Sequence, residues 1–231
     1  MASSIVRNAR RVLGRLRAAC RQRVRPLETL PDAPDLFNCF RYLLRAPGLE
    51  RRPGGWQYEG KFWPDYLTVG GASFAIHRRA LQYCKGKGID VGAGLWPLPG
   101  ADAVDTGRGP GTTRKIEDIP ENSLDYIFSS HCLEHIQEWQ TTIRNWVGKL
   151  REGGTLFLYL PHPECAIWKR GSPFVGDGHV WTPTPALVKG AVERAGCRVI
   201  DADDGPDAMW SFFVCARREG GTRPEPELAH A

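Results

Sequence analysis

From Ala72 to Ala216 the chain alternates helix-like and strand-like segments, and this alternation limits the available folds more than any other feature. A helical pattern over 72–83 leads into 86-GKGIDVGAG-94, a buried-strand pattern ending in glycines. Strand patterns follow at 102-DAVDT-106 and 123-SLDYIFSS-130, then a helix with Ile136, Trp139, Ile143, Val147 and Leu150 on one face, stopping at 153-GG-154. Strand 155-TLFLYL-160, a helix over 185–195, and strands 197-CRVIDA-202 and 210-WSFFVCA-216 complete the series. Such alternation is the pattern of a mostly parallel sheet covered by helices on both faces. The last two strands are joined only by 203-DDGPD-207, too short for a parallel crossover, so they are expected to pair antiparallel near one edge. Trp139 is expected in the core, and Trp146 in the core or at an interface.

The chemistry concentrates where the first strand of the series ends. Asp90, Gly92, Ala93 and Gly94 follow it directly, and Asp105 closes the next strand, with Thr106 beside it. Glycines there let a ligand approach the backbone, and a carboxylate at the second strand's tip can accept hydrogen bonds from both ribose hydroxyls of an adenosine. A dinucleotide site needs a longer glycine run to cradle pyrophosphate, and Trp96 and Pro97 stand where that run should continue. An adenosine cofactor without pyrophosphate fits better.

On these residues the stretch from about Lys85 to Cys215 resembles the class I S-adenosylmethionine-dependent methyltransferases, in particular the group with a methyltransferase domain 11 core. The resemblance implies an α/β, Rossmann-like, seven-stranded, mostly parallel sheet with an antiparallel final hairpin, and S-adenosyl-L-methionine as cofactor. It implies that Asp90, Gly92 and Gly94 hold the methionine end and that Asp105 binds ribose. The segment 118-DIPENSLDYIFSSHCLEHI-136 looks like the family's adenine loop and following strand, so Glu117 or Asp118 is expected at adenine and Ser129 and Ser130 along the methionine arm. One departure is the short link Leu95–Ala101, where most relatives have a helix; shortened variants of this kind resemble enzymes of glycan and natural-product pathways.

The flanks differ from this core. Arg7, Arg10, Arg11, Arg15, Arg17, Arg21, Arg23 and Arg25 all precede the first acid, Glu28, so the formal charge of +5 belongs to the N-terminus. Residues 1–25 read as a basic amphipathic helical arm, suited to packing on the body or a second subunit, or to peripheral contact with anionic lipid. Residues 26–71, with Trp56, Tyr58, Phe62, Trp63 and Tyr66, read as a helical, aromatic cap, 72–216 as the core, and 217–231 as a flexible tail. No apolar run has the length of a spanning helix and seven cysteines form no CxxC, so a cytoplasmic protein without disulfides or a zinc site is expected.

Three histidines follow strands or precede a helix on the acceptor side: His131, His162 and His179. An imidazole near neutrality can remove a hydroxyl proton as the methyl transfers. His179 is the first candidate for that base because of the Gly-His pair before the helix, and His131 the second; His135 is expected to buttress the helix start with Glu134. Glu164, Asp177 and His179 lack the spacing of a metal site, and no metal is assigned. The expected activity is O-methylation of a sugar, a carrier-linked glycan or a small natural product, the acceptor entering between the cap and the 162–184 loop. Open alternatives are N-methylation of an amino sugar or amine, methylation of RNA, for which the body carries no evident binding module, and a non-catalytic partner protein that binds the cofactor.

Overall fold

In the computed structural model the described residues are 48–68, 72–94, 96–105 and 115–221. All belong to one unit, Phe37–Ala231. The basic arm, the first part of the cap, Thr106 and most of the tail lie outside the described residues.

Where helices were expected in the cap, two tight turns produce strands instead. Glu50–Arg52 (β1), Gly55–Tyr58 (β2) and Lys61–Pro64 (β3) form an antiparallel meander. Pro53 and Gly54, the latter at φ +78°, make the first turn. Glu59 and Gly60 make the second with positive φ at both positions, the geometry that lets a two-residue loop join twisted strands. Residues of one face are then buried: Trp63 packs edge-on against Trp210 with centroids 5.0 Å apart, and shares a cluster with Leu67, Cys165, Ala166 and Ile167. This packing joins the meander to the start of the 162–184 loop.

The main sheet begins after the helix α1 (Ala72–Tyr83). Gly88–Val91 (β4) is buried at every position and pairs in parallel with Asp102–Val104 (β5) on one side and Leu124–Ser130 (β6) on the other. Trp139–Lys149 (α2) leads into Leu150–Pro161 (β7), and Pro185–Arg194 (α3) into Cys197–Asp203 (β8) and Ser211–Arg218 (β9). The order is β5-β4-β6-β7-β9-β8, with both pairings of β9 antiparallel. The expected hairpin is present at the edge, and among the described residues the sheet has six strands rather than seven.

Strand alternation sorts the core onto two faces. Ile127, Leu156, Leu158 and Val214 meet α2 and α3 on one, whereas Tyr126, Phe128, Phe157 and Phe213 meet α1 on the other. Phe157 and Phe213 stack at 5.2 Å and 7°. Trp146 is buried, one of the two places expected for it, whereas Trp139, expected in the core, is half-buried and stacked on Trp181 at 4.0 Å. The pair 153-GG-154 does not separate helix from strand but lies inside β7, in a bulge where Leu124 pairs with Leu150 and Tyr126 with Thr155. Arg217 and Arg218, assigned to the tail, belong to β9, and the Arg218 guanidinium donates to the Leu150 carbonyl and, at 3.3 Å, to that of Gly148 at the end of α2.

Candidate active site

Parallel strands present their carboxyl ends to one crevice, and β4, β5 and β6 end together there. After β4 the backbone turns at Gly92 (φ +76°) and Gly94 (φ +53°). The Gly92 N–H donates to the Val104 carbonyl at 2.8 Å and the Gly94 N–H to Asp105 Oδ2 at 2.8 Å, so Asp105 shapes the loop as well as ending β5. A Cβ on Gly92 would lie 2.4 Å from Cys132 Cβ, a contact that only glycine avoids.

Asp90 is 1% exposed. Its Oδ2 accepts from the Leu98 N–H at 2.7 Å, which anchors the short link in place of the missing helix, while Oδ1 is buried with no hydrogen-bond partner. Burial pushes its carboxyl up to about 7, against the lowering effect of the Leu98 bond and with the help of the nearby Asp105 charge. An orphaned carboxylate oxygen beside a positive-φ glycine turn suits the cationic methionine end of S-adenosylmethionine. Ala93 is buried in the same loop; Glu117 and Asp118 sit on a 3-10 turn with exposed side chains. The exposed rings of Phe74 and Trp96 lie against each other at 4.8 Å near the loop.

At the end of β6, Ser129 Oγ donates to the Val91 carbonyl at 2.9 Å and Ser73 Oγ to Ser130 Oγ at 3.1 Å. His131 then takes a left-handed backbone conformation (φ +48°), which swings its ring out of the strand's alternation. Ser211 Oγ donates to the Met209 carbonyl at 3.1 Å and therefore accepts from His131 Nε2–H at 2.9 Å. That leaves the Nδ1 lone pair of His131 facing Glu134 Oε1 at 3.6 Å.

Glu134 is fully buried on the 3-10 turn Leu133–His135, and neither carboxylate oxygen has a partner beyond a close approach of its own backbone amide. His135 Nε2 lies 3.8 Å from the same Oε1 and His179 Nε2 3.7 Å. Burial pushes His131 down to about 3 and His179 down to about 4, in each case helped by neighbouring histidines, and pushes Glu134 up to about 8.

Expectation and observation divide here by distance along the chain. Asp90, Gly92, Ala93, Gly94, Asp105, Ser129, Ser130 and His131 line adjoining strand ends. His179 joins them through Glu134, but it is 5% exposed. His162 accepts from the Glu164 N–H at 3.3 Å and orients its own loop. His135 does not cap α2: its Nδ1–H donates to the Gly178 carbonyl at 2.7 Å. Histidine and acid do cluster, as Glu134, His135 and His179 rather than Glu164, Asp177 and His179. Ser211 was not anticipated; its only signal is a polar residue opening an otherwise apolar strand.

Residues 76–158 match the family described as Methyltransferase domain (Methyltransf_11), which covers less than half of the chain. Comparison with curated proteins finds no match. Among solved structures, the chain is similar to 1,6-didemethyltoxoflavin-N1-methyltransferase from Burkholderia thailandensis at 16% identity and TM-score 0.50, covering 67% of this chain and 81% of that one. An S-adenosylmethionine-dependent methyltransferase from Mesorhizobium loti aligns at 18% identity and TM-score 0.47, over 64% of this chain and 99% of that one. The fold is that of the class I methyltransferases. With the matched segment running from α1 to β7, fold and site define an S-adenosylmethionine-dependent methyltransferase domain, and S-adenosylmethionine is its cofactor. No helix among the described residues is long and apolar enough to cross a membrane.

Proposed function

We propose that the chain transfers a methyl group to a hydroxyl of a sugar, a carrier-linked glycan or a small natural product, with His131 receiving the hydroxyl proton. The observation that carries this reading is the contact of the Gly92 turn with Cys132, which puts the cofactor loop against the residue next to His131. S-adenosylmethionine, when bound, supplies a methyl group already activated on a sulfonium. Asp90, Gly92, Ala93 and Gly94 would hold its methionine end, Asp105 and Thr106 its ribose, Glu117 or Asp118 its adenine, and Ser129 and Ser130 would line the arm between.

His131 suits the base because it follows β6 beside the Gly92 turn and its side chain is 20% exposed, against 6% for His179. Glu134 at 3.6 Å is placed to stabilise the imidazolium that forms. His179, first on sequence grounds, is the poorer choice because its ring is buried. An amine acceptor arriving neutral would need no such base.

The test is labelled methyl transfer to a panel of nucleotide sugars and hydroxylated natural products, with the product linkage assigned by NMR. An O-methyl product is expected, and His131→Ala should lose 10²–10⁴-fold in kcat with cofactor Kd within about twofold. Methylation confined to nitrogen or to RNA would overturn the acceptor class, and unchanged kcat in the variant would overturn the base.

A further inference from the structure

Three imidazole nitrogens, His131 Nδ1, His135 Nε2 and His179 Nε2, converge on Oε1 of the fully buried Glu134, neither of whose carboxyl oxygens has a hydrogen-bond partner. The Gly178 carbonyl can only accept, so His135 Nδ1 carries the ring proton and Nε2 presents its lone pair towards Glu134. Separations of 3.6–3.8 Å from Glu134 Oε1 are too long for hydrogen bonds. A fully buried carboxyl with both oxygens unpartnered is a costly arrangement, and a cation at the common point removes the cost.

We infer that Glu134 Oε1, His135 Nε2 and His179 Nε2 form a binding site for a divalent first-row transition ion of the zinc class. Their ligand atoms lie within 4.8 Å of one another. Bonds of about 2.0–2.1 Å around a tetrahedral ion separate ligand atoms by about 3.4 Å, so closure needs shifts of only tenths of an ångström for the two nitrogen–oxygen pairs. Two imidazoles and one carboxylate select zinc, cobalt or iron over magnesium and calcium, which take oxygen sets. Ligating histidines characteristically give their second N–H to a backbone carbonyl, as His135 Nδ1–H already does to Gly178. His135 is half exposed and gives an ion its way in. Three protein ligands leave a fourth position for water or another ligand.

The bound ion would join the turn Leu133–His135, next to the end of β6, to the loop that carries His179. These segments already meet through the Val180 N–H, which donates to the Glu134 carbonyl at 3.0 Å. The inference does not depend on the acceptor proposed above.

The test uses the full chain stripped with a chelator, titrated calorimetrically with Zn2+ and spectroscopically with Co2+, with Mg2+ as the comparison ion and S-adenosylmethionine binding measured on the same samples. One equivalent of Zn2+, visible Co2+ bands of a four- or five-coordinate site, a raised Tm and no saturable Mg2+ binding are expected. His135→Ala, at an exposed position that tolerates truncation, and the isosteric Glu134→Gln should each weaken Zn2+ binding about 100-fold or more, while His131→Ala retains the stoichiometric site. Folded protein that binds S-adenosylmethionine but takes up no stoichiometric Zn2+ would overturn the metal site alone. Zn2+ binding unchanged in His135→Ala and Glu134→Gln would place the ion elsewhere and overturn it too.

Discussion

Asp90 carries a proton at the pH where most carboxylates have lost theirs, because its surroundings are dry and one oxygen lacks a partner. A folded-state value raised to about 7 means that its contribution to stability is full below about 4 and is lost as pH rises through 7. A cationic ligand at Oδ1 reverses that penalty by favouring the anion. Cofactor affinity is therefore expected to rise about tenfold between pH 6 and pH 8 and to level off above, measured by calorimetry, and Asp90→Asn should abolish the slope and bind at least about tenfold more weakly at pH 8. At this scale the cofactor loop was legible because Asp90, Gly92 and Gly94 are neighbours in sequence and Asp105 stands at the next strand's tip. The histidine cluster was legible only in pieces. His131, Glu134, His135 and His179 are all conspicuous in sequence, but what the ring nitrogens face depends on Ser211 and Gly178, which reach the site from distant segments.

At the scale of elements, regular hydrophobic periods translated directly. The helix expected over 72–83 is α1 to the residue, and the short 203–207 link does enforce an antiparallel pair. Errors arose where one or two residues govern the backbone. The helix period placed both Trp139 and Trp146 near the apolar face, and only packing against α3 and the sheet decides which is buried. Trp146→Ala should accordingly cost about 3–5 kcal/mol in urea unfolding, and Trp139→Ala less than half as much, since it loses one stacked partner at a half-exposed site. Within the cap, residues 50–64 form strands where short helices were expected, because Pro-Gly and Gly-Gly signal turns without saying what the turns join. Its second turn holds Glu59 in a left-handed conformation that glutamate dislikes, whereas Asn-Gly is the preferred pair for such loops. Glu59→Asn is expected to stabilise the protein by about 0.5 kcal/mol, read as a higher urea midpoint at unchanged m-value.

Across the whole molecule, Trp63 joins the meander to the loop that leaves β7, with Cys165, Ala166 and Ile167 around it and Lys61 Nζ 3.6 Å over the Trp210 ring. Truncation to alanine should cost about 3–5 kcal/mol and speed limited proteolysis within residues 162–184 before the sheet itself is cut. The seventh strand was an inference from likeness, and among the described residues the main sheet has six.

The order β7-β9-β8 has a consequence in time. The strand nearest the C-terminus in sequence, β9, is an interior strand of the sheet, and β8 attaches only through it. Ser211, which fixes the His131 ring, opens that strand. During synthesis β4 to β7 can pair as they emerge, but β8 has no neighbour to join until residues 211–218 arrive. The setting of the His131 ring and the full six-stranded sheet are thus completed by the same late event, and a nascent chain that ends short of Ser211 has the Gly92 turn without an oriented His131.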